Sequence, residues 1–197
     1  MSVRILHAAD LHLDSPFEAL TLAQAAQRRR EQRDLLRALP ELAKKHDAQI
    51  ILLAGDLLDS ASPYPETARA LAETFTGCGA EVFLAPGNHD YYSAGAPYAR
   101  LTFPENVHIF RSPRIEAVML PELGVRVWGA AFTDSRSGAL LRGFCAPKQA
   151  GVLDILCVHG EVGNPASAYN PVSAAELAAS ALDYAAFGHV HRFGGVL

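Results

Sequence analysis

The hydrophobic positions of the chain fall into short apolar runs that are separated by longer stretches with helical spacing. Apolar runs of this kind predict β-strands. They lie at residues 3–9, 49–54, 81–85, 152–158 and 184–187. Apolar residues with helical spacing predict helices at 23–46 and 66–75, and Ser173 with Glu176 three positions later predicts the capped start of another. Strands that alternate with helices indicate an α/β fold.

Three strand-like runs follow one another directly in the middle of the chain. They span residues 107–110, 115–120 and 125–131, and Gly124 occupies the turn before the last run. Strands joined without helices favour antiparallel pairing, so we expect a meander within an otherwise mixed sheet. In the first long helix, Pro40 is expected to kink or split the helix, because proline removes a backbone hydrogen bond.

Composition narrows the class of protein. Of the 197 residues, 50% are hydrophobic and 19% charged, which excludes a disordered chain and predicts one domain over residues 1–197. The last residues resemble the middle of a turn, so we expect a chain truncated at its C-terminal end, and the lost sheet partners would favour a homodimer. No apolar run is long enough to span a membrane. Three cysteines without a CxxC pair predict buried thiols, no disulfides and a cytoplasmic location.

The charge of the chain limits how it could bind nucleic acid. The net charge is −4, from 17 basic and 21 acidic residues, which argues against binding DNA by bulk charge. Five arginines between Arg28 and Arg37 could follow a DNA backbone. A solvated helix face paired with Glu31 and Asp34 is the favoured interpretation of these arginines.

Residues able to bind metals or move protons collect directly after five of the predicted strands. Five of the eight histidines belong to these clusters. The clusters are Asp10-Leu11-His12, Gly55-Asp56-Leu57-Leu58-Asp59, Gly87-Asn88-His89-Asp90, His159-Gly160-Glu161 and Gly188-His189-Val190-His191. In open α/β sheets, binding groups gather at the carboxyl ends of strands. Carboxylate, amide and imidazole donors without a thiolate suit Mn²⁺, Fe or Zn²⁺ in a catalytic site.

The clusters are expected to form turns at the ends of the strands. A strand-end turn would aim Asp10 and His12 into one pocket. The same holds for His189 and His191. Glycines within the clusters permit such turns and a close approach of the backbone.

The ordered set Asp-x-His, Gly-Asp-x-x-Asp, Gly-Asn-His-Asp, His and Gly-His-x-His resembles the calcineurin-like metallophosphoesterase superfamily. Residues 7–17, His-Ala-Ala-Asp-Leu-His-Leu-Asp-Ser-Pro-Phe, further resemble its bacterial DNA-repair exonuclease branch, SbcD-like and YhaO-like. The resemblance extends from Val3 to Arg192. It implies a four-layer α/β/β/α sandwich of two mixed sheets flanked by helices, with a metal site at one edge of the sheets.

The resemblance also implies a role for each clustered residue. The implied ligands of one ion are Asp10, His12 and His191, those of the other are Asn88, His159 and His189, and Asp56 would bridge the two. His89 would be the catalytic histidine near the leaving group, and Asp59 its orienting partner. Asp90 is a weaker candidate for the same supporting place, and Asp14 is either a supporting group or a solvated turn residue.

The implied activity is hydrolysis of phosphodiester bonds with two divalent ions, Mn²⁺ ahead of Fe or Zn²⁺. DNA is the implied substrate, of an exonuclease or endonuclease type, and an SMC-like ATPase is a possible partner of the full-length protein. A small-molecule phosphodiesterase or phosphatase and a catalytically silent protein-binding scaffold remain alternatives. Tyr91 and Tyr92 could stack on a base, although packing of a loop is the favoured interpretation.

Overall fold

The computed structural model describes residues 2–191 of the chain. The first half forms β1 (Ile5–Ala8), α1 (Leu22–Lys45), β2 (Ile50–Leu53), α2 (Pro65–Glu73), β3 (Glu81–Leu84), α3 (Pro97–Arg100) and β4 (Val107–Ile109). The second half forms β5 (Glu116–Leu120), β6 (Val125–Gly129), β7 (Leu153–His159), β8 (Glu161–Val162), β9 (Pro171–Val172), α4 (Ala174–Ala179) and β10 (Tyr184–Gly188). These strands form two four-stranded sheets, in the orders β1-β2-β3-β4 and β10-β7-β6-β5, and a small β8-β9 sheet.

Three apolar clusters hold the layers of the fold together. The first joins α1 and α2 to the outer face of the first sheet and includes Leu36 and Ile51. The second fills the space between the sheets and includes Ile50 and Ile155. The third covers the far face of the second sheet, where Leu177 of α4 packs against it. The layer order is therefore α/β/β/α, which confirms the predicted sandwich.

Strand β2 shows why the sandwich is stable. Its four residues are fully buried. Ile51 and Leu53 face the helices, whereas Ile50 and Leu52 face the second sheet, because successive side chains of a strand point to opposite faces. A strand covered on both faces is apolar throughout, which is the pattern that predicted a buried strand here.

The pairing of the strands corrects two predictions. All pairs of the first sheet are parallel, so only the second sheet, in which β5 and β6 are antiparallel, is mixed. The predicted meander is also wrong, because β4 pairs with β3 in the first sheet and only β5 and β6 form a hairpin. Phe110 is buried between the sheets, and the segment that follows, interrupted by Pro113, carries the chain to the second sheet.

Helix α1 begins with a capping box and continues through its proline. Thr21 accepts a hydrogen bond from the backbone N–H of Gln24, whose side chain returns to the Thr21 backbone. The helix runs unbroken through Pro40, so the predicted split does not occur. Burial of Leu36 and Leu39 against the sheet stabilises the helix by about 1.5–3 kcal/mol for each side chain, enough to offset about 3 kcal/mol for the proline.

A buried carboxylate ties together the loops that follow β2 and β3. Asp90 accepts hydrogen bonds from the backbone N–H groups of Leu57 at 2.8 Å and Gly87 at 2.7 Å, and from the hydroxyl of Tyr98. Burial raises the pKa of Asp90 above its ordinary value, and burial also raises the pKa of Tyr98. These hydrogen bonds fix the positions of both loops.

Replacing Tyr98 by phenylalanine should destabilise the fold without changing its shape. The variant loses one hydrogen bond to a carboxyl group, which is worth about 1.5–3 kcal/mol, and the melting temperature should fall by about 3–12 °C. Tyr64→Phe is the matched control, because Tyr64 is half exposed and a surface change of this kind shifts stability by less than about 0.5 kcal/mol. Equal melting temperatures for the two variants would contradict this role of the Tyr98 hydroxyl.

The structure tests the predictions that were made for the three cysteines. All three cysteines are free thiols, as expected. Cys157 is buried, and burial raises the pKa of its thiol to about 12. Cys78 is only partly buried, and Cys145, on a loop between β6 and β7, is exposed. The prediction of three buried thiols is therefore correct only for Cys157. Within residues 2–191, none of the helices combines the length and the apolarity needed to cross a bilayer.

Candidate metal centre

The loops after β1 and β2 run side by side at the carboxyl end of the first sheet. The backbone N–H of Asp10 donates to the carbonyl of Gly55 at 3.0 Å, and that of His12 donates to the carbonyl of Asp56 at 3.0 Å. Leu13 continues the pairing. This ladder brings two polar clusters together although more than forty residues separate them in sequence.

Glycines allow the remaining clusters to approach. A Cβ atom at Gly87 would overlap the carboxylate of Asp56, and one at Gly188 would overlap the carbonyl oxygen of Ala54. The loops after β3 and β10 therefore reach the same place only because these positions carry no side chain. Residues that follow β1 and β2 of the first sheet and residues at the ends of β7 and β10 of the second sheet therefore lie together at the site.

Most of the sequence-predicted ligands occupy strained backbone. Five of the seven have positive φ values between 42° and 117°, and these five are Asp10, His12, Asp56, His189 and His191. Such conformations cost about 1–3 kcal/mol for a residue other than glycine, and they persist where the surrounding structure enforces them. These are the strand-end turns that were expected in the Asp-x-His and His-x-His clusters.

One group of candidate ligands consists of Asp10, His12 and His191. His12 donates from Nδ1 to Asp59 Oδ1 at 2.9 Å, which leaves Nε2 as the nitrogen with a free lone pair. That Nε2 lies 3.0 Å from His191 Nε2, and Asp10 Oδ1 lies 4.0 Å from the same His191 atom. The candidate ligand atoms of this trio lie within 4.8 Å of one another, close enough to hold one ion.

The second group surrounds His159, which is fully buried. Its Nδ1 lies 3.0 Å from the carbonyl of Ala54 and donates to it, so its Nε2 carries the free lone pair. That Nε2 lies 3.0 Å from Asn88 Oδ1, 3.3 Å from His189 Nδ1 and 3.3 Å from Asp56 Oδ2. Four electron-pair donors therefore point at one small volume.

Asp56 lies between the two groups. Its Oδ2 is 3.3 Å from His159 Nε2 and 3.8 Å from His12 Nε2, and its side chain is almost completely buried. Lone-pair atoms crowded at these distances repel one another unless a proton or a cation lies between them. Oxygen and nitrogen donors without a thiolate fit a divalent cation such as Mn²⁺, Fe²⁺ or Zn²⁺. All seven predicted ligands thus lie together, in an arrangement that a metal ion would stabilise.

The local charges make His159 the first imidazole of the second group to take up a proton. Burial lowers the pKa of His159, but the hydrogen bond and negative charge of Asp56 outweigh burial and raise the pKa above its ordinary value. For His189, burial and the neighbouring His159 lower the pKa. Burial raises the pKa of Asp56, yet the interaction with His159 brings it below its ordinary value. A proton on His159 would occupy the nitrogen that a metal needs.

Metal loading should therefore fall as the pH falls. A histidine must be neutral to bind a metal ion. Because the pKa of His159 is raised, protons should begin to compete with the metal at a pH above about 6.5, the ordinary pKa of an imidazole, and should compete more strongly at lower pH. At a Mn²⁺ concentration that half-fills the sites at pH 8, bound metal should decline steadily and be lost near pH 4. Metal content after equilibrium dialysis measures this, and constant loading across the range would be inconsistent with imidazole ligands.

The predicted catalytic pair lies at the open side of the site. His89 Nδ1 is 2.9 Å from Asp59 Oδ1, and the His89 side chain is 44% exposed to solvent. The rings of His89 and His12 contact edge to face, with centroids 4.8 Å apart. Asp59 therefore contacts two imidazoles through one oxygen, whereas the sequence predicted an orienting contact with His89 alone.

Two further carboxylates from the motifs serve the loops instead of the site. Asp90 holds the backbone N–H groups of two loops and so does not take the place beside His89 that was considered for it. Asp14 accepts hydrogen bonds from the backbone of Tyr64 and the hydroxyl of Thr67, each at 2.7 Å, and is neither a supporting group of the metals nor a solvated turn residue. It joins the first loop to the start of α2.

Sequence reasoning missed the residues that position His159 and His189. Phe132 contacts the His159 ring edge-on, with centroids 5.4 Å apart, and Tyr169 lies against His189 at 4.8 Å. Asn170 donates from Nδ2 to the carbonyl of His159 at 2.8 Å and is fully buried. These residues belong to no motif and reach the site through tertiary contacts, so local spacing carried no signal for them.

The sequence has clear relatives. The profile of a family described as calcineurin-like phosphoesterase matches residues 3–193. The chain is 31% identical to the uncharacterized metallophosphoesterase YhaO of Bacillus subtilis over 95% of the chain and 48% of that protein. It is 36% identical to the SbcD subunit of the nuclease SbcCD of Escherichia coli K12 over 45% of the chain and 21% of that protein.

The length of these relatives limits the comparison. A third relative, the SbcD subunit of the nuclease SbcCD of Rhodobacter capsulatus, is 31% identical over 64% of the chain and 27% of its own length. The chain thus spans about half, or less, of the relatives that it matches. The family profile nevertheless covers almost all of its residues, including every clustered ligand candidate. The chain therefore belongs to the calcineurin-like phosphoesterase family, a family of metal-dependent hydrolases.

Proposed function

We propose that residues 1–197 act as one domain that hydrolyses phosphodiester bonds with two bound divalent ions, and that DNA is the substrate. The observation that carries this proposal is the pair of donor groups that share Asp56, at 3.3 Å from His159 Nε2 and 3.8 Å from His12 Nε2. A carboxylate between two sets of ligand candidates is suited to bridging a pair of cations. The family match supports the phosphoester class of substrate.

Each candidate ligand receives a place in this proposal. Asp10, His12 and His191 would hold one ion, Asn88, His159 and His189 the other, and Asp56 both. Mn²⁺ is the preferred ion, and Fe or Zn²⁺ suits the same donors. When bound, the ions would offset the negative charge of the phosphodiester and acidify a water molecule.

The chain's own groups would handle the leaving oxygen. Because His89 Nδ1 faces Asp59, a proton held on His89 Nε2 points away from Asp59 and is available to a substrate from the open side. Asp59 would fix the plane of the ring through this contact. Proton donation to the departing oxygen is the step that we assign to His89.

DNA as substrate rests on different grounds from phosphodiester hydrolysis. Two of the relatives are named as nuclease subunits, and this supports DNA. The arginines of α1 give little further support, because Arg28 pairs with Glu31 at 2.7 Å and Arg37 with Asp34 at 3.1 Å. The negative net charge and these paired arginines favour a small-molecule phosphodiesterase or phosphatase as the second candidate.

A side-by-side assay separates these functions. The chain would be freed of metal, supplied with Mn²⁺, and given single-stranded DNA, double-stranded DNA and bis-p-nitrophenyl phosphate. We expect hydrolysis of DNA and of the small diester, and none with a chelator present. Hydrolysis of the small diester alone would favour the small-molecule enzyme. Bound metal without hydrolysis of any substrate would favour a protein-binding scaffold.

The proposal also includes a cellular location and binding partners. Free thiols are typical of a reducing compartment, which supports the cytoplasm. The names of the SbcCD relatives denote a protein with more than one kind of subunit, which supports a protein partner, and an SMC-like ATPase is the partner that we propose. A homodimer is the proposed assembly. Size measurement of the chain alone and with added partner tests both assemblies.

A further inference from the structure

The carbonyl group of His12 is held by three hydrogen bonds. Gln32 donates from Nε2 at 2.7 Å, and Ser15 donates from its hydroxyl at 2.7 Å and from its backbone N–H at 3.2 Å. His12 has a φ of 42°, a conformation that costs free energy unless its surroundings enforce it. Ser15 belongs to the same turn, whereas Gln32 comes from α1, twenty residues along the chain. Gln32 therefore joins the His12 carbonyl itself to α1, whereas Asp14 joins a later part of the same loop to α2.

The oxygen of the Gln32 amide argues against a purely structural role for this side chain. Its Oε1 is buried without a hydrogen-bond partner among residues 2–191. A buried polar atom of this kind destabilises a fold by about 1–3 kcal/mol. An apolar side chain of similar length at this position would avoid that cost, so folding alone does not explain an amide here. Its Nε2 is directed at the backbone of the turn, with a second, longer contact to Leu11 O at 3.4 Å.

We propose that Gln32 is a positioning residue of the metal centre, holding the turn that aims Asp10 and His12 at the first ion. The inference rests on the proposed function, since it assumes that these two residues bind metal. Gln32 lies on the helix side of the turn, and the second group, around His159, is held by other loops. Loss of the amide should therefore weaken one metal site and leave the other intact.

Gln32→Met tests this proposal, with Gln27→Met as the matched control. Methionine has a similar length and removes both the donor and the unpaired oxygen. Gln27 lies on the same helix, is exposed and donates to Glu31. Calorimetric titration with Mn²⁺ alone would measure both sites, and thermal unfolding in chelator would measure the metal-free fold. For Gln32→Met we expect a loss of about tenfold in affinity at one site, an unchanged second site and a parent-like melting temperature.

Other results would overturn the inference. Parent-like affinity at both sites would show that Gln32 does not position the turn. A variant that fails to fold, or that loses stability together with affinity at both sites, would show a structural role instead. The parent protein reports separately on the proposed function, because a parent chain that binds no Mn²⁺ would contradict the metal centre before any variant is compared.

Discussion

Replacing His89 by alanine is expected to slow turnover by about 10²–10⁴-fold while both metal sites remain loaded. General acid catalysis contributes a factor of this size. The His89 ring is directed towards Asp59 and the open side of the site, while neighbouring Asn88 is directed at His159. A nitrogen of His89 also lies within 4.8 Å of candidate ligand atoms of His12 and Asp56, so metal content has to be measured beside turnover.

The choice of substrate makes this prediction specific. The loss should be large for diesters with poor leaving groups, such as DNA, and smaller for p-nitrophenyl esters, whose leaving group hardly needs a proton. Steady-state rates on both substrates, with metal content measured in parallel, are required. His46→Ala is the control, because His46 is an exposed histidine at the end of α1. Equal losses on both substrates would remove the leaving-group role, and a missing ion would identify His89 as a ligand.

Asp59→Asn should produce a related but broader effect. Because Asp59 contacts His89, Asp59→Asn should also slow the hydrolysis of esters with poor leaving groups more than that of p-nitrophenyl esters, but by a smaller factor than His89→Ala. Because Asp59 Oδ1 also lies 2.9 Å from His12 Nδ1, the variant should additionally weaken the first metal site. Comparing rates and metal affinities of Asp59→Asn and His89→Ala therefore separates two roles of Asp59, the orientation of His89 and the orientation of His12.

Asp56→Asn is expected to weaken both metal sites and to abolish most of the activity. Asp56 contributes negative charge to each group, whereas every other candidate ligand contributes to one. Changing a group that only supports a ligand costs about 10–100-fold in affinity, and removing a shared charged ligand should cost at least that at each site. Calorimetric titration with Mn²⁺ measures the two affinities.

The fold of the Asp56→Asn variant should survive. Asparagine retains an oxygen that can accept the 3.0 Å hydrogen bond from the His89 backbone. Asp47→Asn is the matched control, because Asp47 is exposed, has a positive φ like Asp56 and pairs with Arg4 at the surface. Two tightly bound ions and full activity in Asp56→Asn would show that the carboxylate does not bridge.

The clustering of the ligand candidates was easier to predict than the pairing of the strands. Each polar cluster directly follows a strand, and parallel strands bring their carboxyl ends to one edge, so a local pattern specified a shared location. The run at 107–110 carries no comparable signal, because a short apolar strand fits either sheet. Its place beside β3 depends on the packing of Phe110 between the sheets, a contact between distant parts of the chain.

The supporting residues show where sequence reasoning stops. Asp59 was predicted to orient His89, but its contact with His12 depends on how two loops pack side by side. Gln32 lies within a run of arginines whose favoured interpretation was a solvated helix face, so nothing in the sequence linked it to the metal centre. Both contacts are set by tertiary packing, and no spacing within the sequence encodes them.

The most direct test of a two-metal phosphodiesterase is the rate of bis-p-nitrophenyl phosphate hydrolysis as Mn²⁺ is added to the metal-free chain. The account predicts no hydrolysis in chelator and a rate that rises until two ions are bound per chain. A rate that is the same with and without metal, or that reaches its plateau with one ion bound, would contradict it.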